Sequence, residues 1–221
     1  MKQGSGDRYT AAGPAARRQR GFINSRQALV LLALLFIMPV LVAWLMHMRA
    51  EHGWRPSATT NKGALIQPPR LLTLPAGLLD AEGKPLSEKI PGGKWTLVYI
   101  GDTACAEACR DQLYRMHQAR LSLGENMRRV QSLFLGTGAS DAAALKQVQA
   151  DYPGVTVGML STGQVEALGP VFSVGGLPMQ SAGNVYLIDP RGYLMMYYRP
   201  DKDPRGMIQD LQRLLKYSHV G

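Results

Sequence analysis

Residues 95–109 read WTLVYIGDTACAEAC, an apolar run followed by a short loop and two cysteines in a C-x-x-x-C spacing. The run at 95–100 is typical of a buried β-strand, and a helix is predicted to follow the cysteines. Cys105 and Cys109 are therefore predicted at the carboxyl end of a strand and the N-terminus of a helix, where α/β sheets place functional sites. The helix dipole and N–H groups there favour the thiolate, the form of cysteine that acts as nucleophile or metal ligand.

Strands and helices alternate along the rest of this region. After the cysteines, apolar residues at helical spacing predict a helix that stops at Gly124. Further strands are predicted at 130–135, 155–160, 184–188 and 194–198, and further helices at 141–150, 166–172 and 204–217. The segments DAEGKPL at 80–86 and DPRG at 189–192 have the composition of hairpin turns. This order predicts an α/β domain with a central sheet covered by helices.

The charge of the chain is concentrated at its N-terminus. The chain has 221 residues and a formal net charge of +9, of which residues 1–27 supply +5. No stripe of lysine and arginine with interleaved aromatic residues follows, so nucleic-acid binding is not expected. The basic tail instead flanks an apolar segment.

Residues 28–48 (ALVLLALLFIMPVLVAWLMHM) form that segment, in which His47 is the only ionisable side chain. At about 1.5 Å per residue, a helix of this length crosses a hydrocarbon core of about 30 Å. A cleaved signal peptide would have a shorter apolar region that ends in small residues, so we predict a transmembrane helix. Because the basic excess precedes it, the positive-inside rule places the N-terminus in the cytoplasm and the rest of the chain outside. The expected location is the bacterial inner membrane, with the C-terminal domain in the periplasm.

Residues 49–70 are rich in Gly, Pro, Ser and Thr and show no apolar period, which predicts a linker. The predicted organisation is a basic cytoplasmic tail at 1–27, a transmembrane helix at 28–48, this linker, and one domain at 71–221. In an oxidising periplasm the two cysteines can form a disulfide, but a bridge over so short a loop restrains little of the chain.

The sequence resembles one known family at several places. Thr103-x-Cys105-x-x-x-Cys109 after a WxLVYxG strand, with YLIDPRG far downstream, is similar to the Sco/SenC family, and the similarity covers residues 71–217. The resemblance implies a membrane-anchored, thioredoxin-like fold and a role in assembling the copper centre of cytochrome c oxidase. It also implies copper bound by the two cysteines and by a histidine shortly before the YLIDP strand.

The chain departs from that pattern at the third ligand. The histidine position falls on or near Ser181, and no histidine occurs between His117 and His219. The prolines that follow the family's cysteines are replaced by Ala106 and Arg110. Because a hydroxyl is a poor ligand for the soft cuprous ion, the usual copper site does not carry over intact.

Three other residues could supply the missing copper ligand. His117 lies eight residues past Cys109 on one helix, about 12 Å along its axis, and is expected to be a surface or packing residue. His219 is in a terminal tail. The thioether of Met179 suits Cu(I), so Cys105, Cys109 and Met179 form a candidate copper site beside the alternative that Met179 belongs to the core.

Two further features flank the predicted site. Pro178 is either the cis-proline that thioredoxin-like proteins place opposite their cysteines or an ordinary loop proline. Asp102 and Glu107 would raise the pKa of the thiols, or are simply solvated charges. Gly101 and Thr103 are expected to shape the loop.

Three functions stay open on these observations. In the first, an exposed thiolate of Cys105 or Cys109 attacks a disulfide of a partner, such as the copper-receiving subunit of cytochrome c oxidase, and the second cysteine resolves the mixed disulfide. In the second, the two thiolates deliver copper with a substitute ligand or one supplied by the partner. In the third, the domain is a silent scaffold for protein contacts.

Overall fold

A computed structural model describes residues 24–51, 60–80, 82–138, 141–174, 176–180 and 183–218. It divides into an N-terminal unit and a compact unit that begins at Thr60, and each is described by itself. The predicted cytoplasmic tail and residues 52–59 of the predicted linker lie outside the described residues.

The described residues of the N-terminal unit form one helix, α1, at Ser25–Glu51. Its segment Arg26–Arg49 contains an 18-residue window with a mean hydropathy of 2.9, and is long and apolar enough to cross a membrane. Pro39 lies inside the helix, which is tolerated in membrane spans. The helix therefore has the length and composition of a single membrane anchor.

The compact unit is built on a six-stranded mixed sheet in the order β1-β6-β5-β2-β3-β4. Strands β2, β3 and β4 run parallel, and β5, β6 and β1 are added in antiparallel pairs. The strands are β1 Ala64–Leu71, β2 Trp95–Asp102, β3 Val130–Thr137, β4 Val155–Met159, β5 Val185–Ile188 and β6 Tyr193–Tyr198. The helices are α2 Glu107–Leu121, α3 Ala142–Asp151, α4 Thr162–Phe172 and α5 Arg205–Tyr217.

The core has two halves because successive strand side chains point to opposite faces of the sheet. Leu97 and Tyr99 of β2 belong to the cluster that includes residues of α2, α3 and α5. Val98 and Ile100 belong to the cluster that includes residues of α4 and of the segment before β2. The predicted α/β, thioredoxin-like architecture is confirmed, with helices on both faces.

The predicted linker is wrong at its C-terminal end. Residues 64–71 form β1, which pairs with β6 and shows a shift of register between Leu65 and Arg70. Pro68 and Pro69 lie in that irregular stretch, and an edge strand tolerates residues without an N–H because one side of it needs no ladder bonds. The Gly- and Pro-rich composition therefore predicted a linker where the chain forms a strand.

Helix α4 is longer than the predicted 166–172 because a capping signal precedes it. Ser161 accepts a hydrogen bond from the N–H of Gln164, and the Gln164 side chain accepts one from the N–H of Ser161. Such a capping box stabilises the first turn of a helix, which here begins at Thr162. The predicted helix at 141–150 is confirmed, with Asp141 capping α3.

The turn at 80–86 is organised by the buried carboxylate of Asp80. Its Oδ1 accepts hydrogen bonds from the N–H groups of Glu82 (3.0 Å) and Lys84 (2.8 Å), and its Oδ2 accepts one from Nζ of Lys89. Burial alone would raise the pKa of Asp80, but the Lys89 and backbone hydrogen bonds lower it from 3.8 to about 2.

This shift predicts a loss of stability in acid. In the window between about pH 2 and pH 4 the unfolded carboxyl binds a proton while the folded one stays ionised, so the free energy of unfolding falls as the pH falls. We expect Asp80→Asn to remove this pH dependence of the free energy of unfolding. Glu82→Gln, which changes an exposed carboxylate in the same turn, should retain it. Urea unfolding midpoints measured from pH 5 to pH 2 check this. Equal pH slopes for wild type and Asp80→Asn would contradict it.

Candidate dithiol site

The two cysteines are joined as a disulfide where β2 passes into α2. Strand β2 lies between β5 and β3, ends at Asp102, and is followed by a turn that carries Cys105. Cys109 lies in the first turn of α2, and its Cα is 5.0 Å from that of Cys105. The predicted position of the pair at a strand end and a helix start is confirmed, and its state is oxidised.

The two cysteines of the disulfide are buried. Cys105 and Cys109 are 3% and 6% exposed and belong to the core cluster that includes residues of α2. Their neighbours Ala104, Ala106 and Glu107 are exposed. Both cysteine residues are thus buried in the oxidised state, and the expected exposure of the thiolate in the reduced state stays a prediction.

Two threonines join the turn to the neighbouring strand. The N–H and the Oγ1 of Thr103 both donate to the carbonyl of Thr137, at 2.9 and 2.8 Å. The Oγ1 of Thr137 donates in return to the carbonyl of Gly101 at 3.1 Å. Thr103 is 1% exposed, so these bonds hold the end of β2 from inside the protein.

Gly101 is required by the close approach of a neighbouring ring. A Cβ at this position would lie 2.9 Å from Cε1 of Tyr99, closer than real carbon contacts. Tyr99 belongs to the same core cluster as the cysteines, and burial raises the pKa of its hydroxyl. Tyr99 therefore packs as a neutral side chain over the last part of β2.

Asp102 shapes the turn itself. Its Oδ1 accepts a hydrogen bond from the N–H of Ala104 (2.8 Å), and its carbonyl accepts one from the N–H of Cys105 (3.0 Å). Cys105 has a φ of +44° and is the only non-glycine residue of the described part of the chain with a positive φ. This role of Asp102 was not predicted, since only its charge beside the thiols was considered, although aspartate at the first position of a turn is a known signal.

The N-terminus of α2 lacks a side-chain cap. Ala106 is the N-cap residue, with an extended backbone and no side-chain hydrogen bond. An alanine at this position leaves first-turn N–H groups without the usual oxygen acceptor. These donors lie beside the cysteines, so they are available to stabilise a thiolate when the disulfide is reduced.

Adding a cap should stabilise the domain. Ala106→Ser is expected to raise the free energy of unfolding by about 1 kcal/mol, because a serine hydroxyl accepts from the N–H two or three residues on. Ala104→Ser, at an exposed position of the same turn that is not the N-cap, is the matched control and should change stability little. Chemical unfolding of the oxidised chain checks this. The explanation fails if Ala106→Ser stabilises no more than Ala104→Ser.

Met179 does not lie with the cysteines. It is 2% exposed and packs in the core cluster that includes residues of α4, whereas Cys105 and Cys109 belong to the other cluster. The structure therefore favours the alternative that Met179 is a core residue. The Leu177–Pro178 bond is trans, since the cis bonds of the described residues precede Pro68 and Pro91.

The histidines do not complete a metal site within the described residues. His117 is half-buried and makes an edge contact with Tyr152 at 6.4 Å between ring centroids, as expected for a packing residue. Ser181 and His219 lie outside the described residues. The part of the chain that the structure describes contains no group of three or more His, Cys, Asp or Glu side chains suited to a metal ion. For a copper ion, the described residues supply two sulfur ligands and no histidine.

A groove opens at the same end of the sheet. It has a volume of about 480 Å³ and is lined by residues that include Leu177, Asn184, Tyr197 and Arg199. Asn184 precedes Val185, which pairs with Tyr99 near the end of β2, so the groove is one strand away from the cysteine turn. This groove was not predicted, because its lining combines Tyr197 of β6 with residues from separate loops.

Comparisons with known proteins agree with this architecture. Residues 95–218 match the family model described as "Transmembrane-like, thioredoxin-like, C-terminal domain". A mouse protein, "Protein SCO2 homolog, mitochondrial", is 23% identical in an alignment of 192 positions that covers 80% of this chain and 74% of that protein. A "Putative copper-binding protein" of Stutzerimonas stutzeri is 27% identical in an alignment of 182 positions that covers 72% of this chain and 88% of that protein.

The fold is also shared with solved structures. The crystal structure of yeast Sco1 with copper bound superposes with a TM-score of 0.54 and 20% sequence identity, covering 72% of this chain and 90% of that one. The sheet, its helices and the disulfide thus define a thioredoxin-like protein with a C-x-x-x-C site. The chain belongs to the family of transmembrane-like, thioredoxin-like C-terminal domains, and its predicted resemblance to Sco/SenC proteins is confirmed.

Proposed function

We propose that the chain is a membrane-anchored factor that exchanges disulfides with a partner during the assembly of cytochrome c oxidase. The observation that carries this proposal is the Cys105–Cys109 disulfide at the junction of β2 and an uncapped helix. The site holds two sulfurs close enough to form and break one bond, and the described residues add no third metal-binding side chain.

The exchange transfers two electrons. In the reducing direction, the thiolate of one cysteine attacks a partner disulfide, forms a mixed disulfide and releases one partner thiolate. The second cysteine then loses its proton and attacks the mixed disulfide, which releases the other partner thiolate and leaves the Cys105–Cys109 bond. The partner is reduced by two electrons and the chain is oxidised by two.

The membrane placement supports a partner in the periplasm. Helix α1 is long and apolar enough to span a membrane, and the basic tail before it favours a cytoplasmic N-terminus by the positive-inside rule. The helix then spans the bacterial inner membrane and the domain lies in the periplasm, which is an oxidising compartment. A subunit of cytochrome c oxidase, or another of its assembly factors, is the partner that the resemblance to Sco proteins favours.

Copper delivery is the second candidate. Two reduced thiolates are soft ligands of the kind that Cu(I) prefers, and a copper ion is bound in the yeast Sco1 structure. In this chain the cuprous ion would be cargo held by Cys105 and Cys109, with a further ligand from the partner or from residues outside the described ones. Met179 is not proposed as this further ligand, because it packs in the other half of the core.

The two candidates are separated by two measurements on the full-length chain in detergent. The first is the equilibrium of the cysteine pair with a glutathione redox buffer; we expect a reduction potential above about −300 mV, since lower values mark inert structural bridges. The second is a titration of the reduced chain with Cu(I) against a competing chelator. Sub-nanomolar retention that is lost in Cys105→Ser would favour copper delivery. A reduction potential below about −300 mV without copper retention would contradict both disulfide exchange and copper delivery, and would favour the third function, a scaffold for protein contacts.

A further inference from the structure

We propose that Asp102 is the positioning residue of the dithiol site: it holds Cys105 in the backbone conformation from which its sulfur reaches Cys109, and so sets how strongly the disulfide is favoured over the dithiol. This inference rests on the proposed exchange function. Asp102 acts on the cysteines through the hydrogen bonds of the turn.

Asp102 makes both hydrogen bonds that define the turn. Its side-chain Oδ1 accepts from the N–H of Ala104, and its main-chain carbonyl accepts from the N–H of Cys105. The same residue pairs with Thr137 at the end of β3. Asp102 is thus fixed by the sheet on one side and fixes the cysteine turn on the other.

The turn has an unfavourable conformation to maintain. A φ of +44° at Cys105 lies in the left-handed region, which is unfavourable for a residue with a Cβ because that atom crowds the following carbonyl oxygen. Such conformations persist where surrounding bonds determine them, and they are frequent at functional sites. The bonds to Asp102 hold Cys105 there, together with the bonds of Thr103 to Thr137 at the end of β2, whereas the adjacent N-cap residue Ala106 contributes no side-chain bond.

The position of Cys105 decides the stability of the disulfide. When the turn is formed, the two cysteine Cα atoms are 5.0 Å apart, within the range that a disulfide spans. Without the side-chain bond of Asp102, the main-chain bond to Cys105 remains but the turn is less restrained, so reduced Cys105 adopts extended conformations more often and its sulfur spends less time near that of Cys109. The closure of the disulfide then becomes less favourable relative to exchange with a separate thiol.

The geometry of Asp102 can be separated from its charge. Asn keeps an Oδ1 acceptor and forms the same side-chain turn, so Asp102→Asn removes only the charge. Asp102→Ala removes the charge and the bond. Glu107→Gln is the matched charge control, because Glu107 is exposed in the first turn of α2 and takes no part in the cysteine turn.

The test is the equilibrium constant between each full-length variant and glutathione, read from the fraction of alkylated cysteines. Asp102→Ala should disfavour the disulfide by about tenfold, which corresponds to a potential about 30 mV higher. Asp102→Asn and Glu107→Gln should stay within about twofold of wild type, and Asp102→Ser, a weaker side-chain acceptor, should fall between. Circular dichroism of each variant establishes that it is folded.

Two results would overturn the inference. One is an equilibrium constant for Asp102→Ala within about twofold of wild type. The other is an equal shift for Asp102→Asn and Asp102→Ala, which would assign the effect to charge. Failure of the exchange function gives a different result: the wild-type potential itself falls below about −300 mV, while the ratio between variants still reports on the turn.

Discussion

Asp210→Ala is expected to lower the free energy of unfolding by about 2–4 kcal/mol, because it removes a charged acceptor from buried backbone donors. Asp210 of α5 is 3% exposed. Its carboxylate accepts from the N–H groups of Lys62 (2.9 Å) and Gly63 (2.8 Å), just before β1, and from the hydroxyl of Tyr198 (3.4 Å). Without it, the start of β1 loses its attachment to α5.

The measurement is urea unfolding of the full-length chain in detergent, followed by the fluorescence of buried Trp95 in a background that carries Trp44→Phe and Trp54→Phe. Glu125→Ala, which removes an exposed carboxylate, should change stability by less than about 0.5 kcal/mol. Asp210→Asn should be intermediate, because an amide oxygen still accepts hydrogen bonds but without charge. A loss below about 1 kcal/mol for Asp210→Ala would contradict the explanation.

Replacing one cysteine by serine is expected to slow catalysed disulfide exchange by at least about 10³-fold, since the second sulfur resolves the mixed disulfide as a neighbouring group. Cys105→Ser and Cys109→Ser should both show this loss with a fluorogenic disulfide peptide as substrate. The variant that retains the attacking cysteine should accumulate a mixed disulfide in acid-quenched samples, and the double variant should not.

Met179→Leu is the matched control for the cysteine variants. Met179 is buried in the core half that does not contain the cysteines, and leucine has a similar volume. Its exchange rate should equal that of wild type. If either single serine variant keeps the wild-type rate, the paired mechanism is wrong.

The sequence identifies the site better than its surroundings. An apolar run before C-x-x-x-C predicts a strand end and a helix start, and Cys105 and Cys109 lie there. The turn bonds of Asp102 depend on local geometry that a charge count does not reveal. The core position of Met179 was one of two alternatives, and the sequence could not decide between them, because neither helical nor strand periodicity applies to a loop residue.

Strand β1 was missed for a related reason. Pro68 and Pro69 read as linker residues, since proline cannot donate a ladder hydrogen bond. At the edge of a sheet that loss is tolerated, and β1 lies at the edge, beside β6. Position in the sheet is a property of the fold, and composition does not contain it.

The two edges of the sheet have a consequence for how partners approach. On one side, β1 carries two adjacent prolines and an irregular register; on the other, the turn at Asp80 bridges to Gly158 of β4. Both features obstruct the addition of a further strand from another chain. Recognition by strand addition is therefore disfavoured, and the partner of the proposed exchange would approach along the ends of the strands, where the disulfide and the neighbouring groove are found.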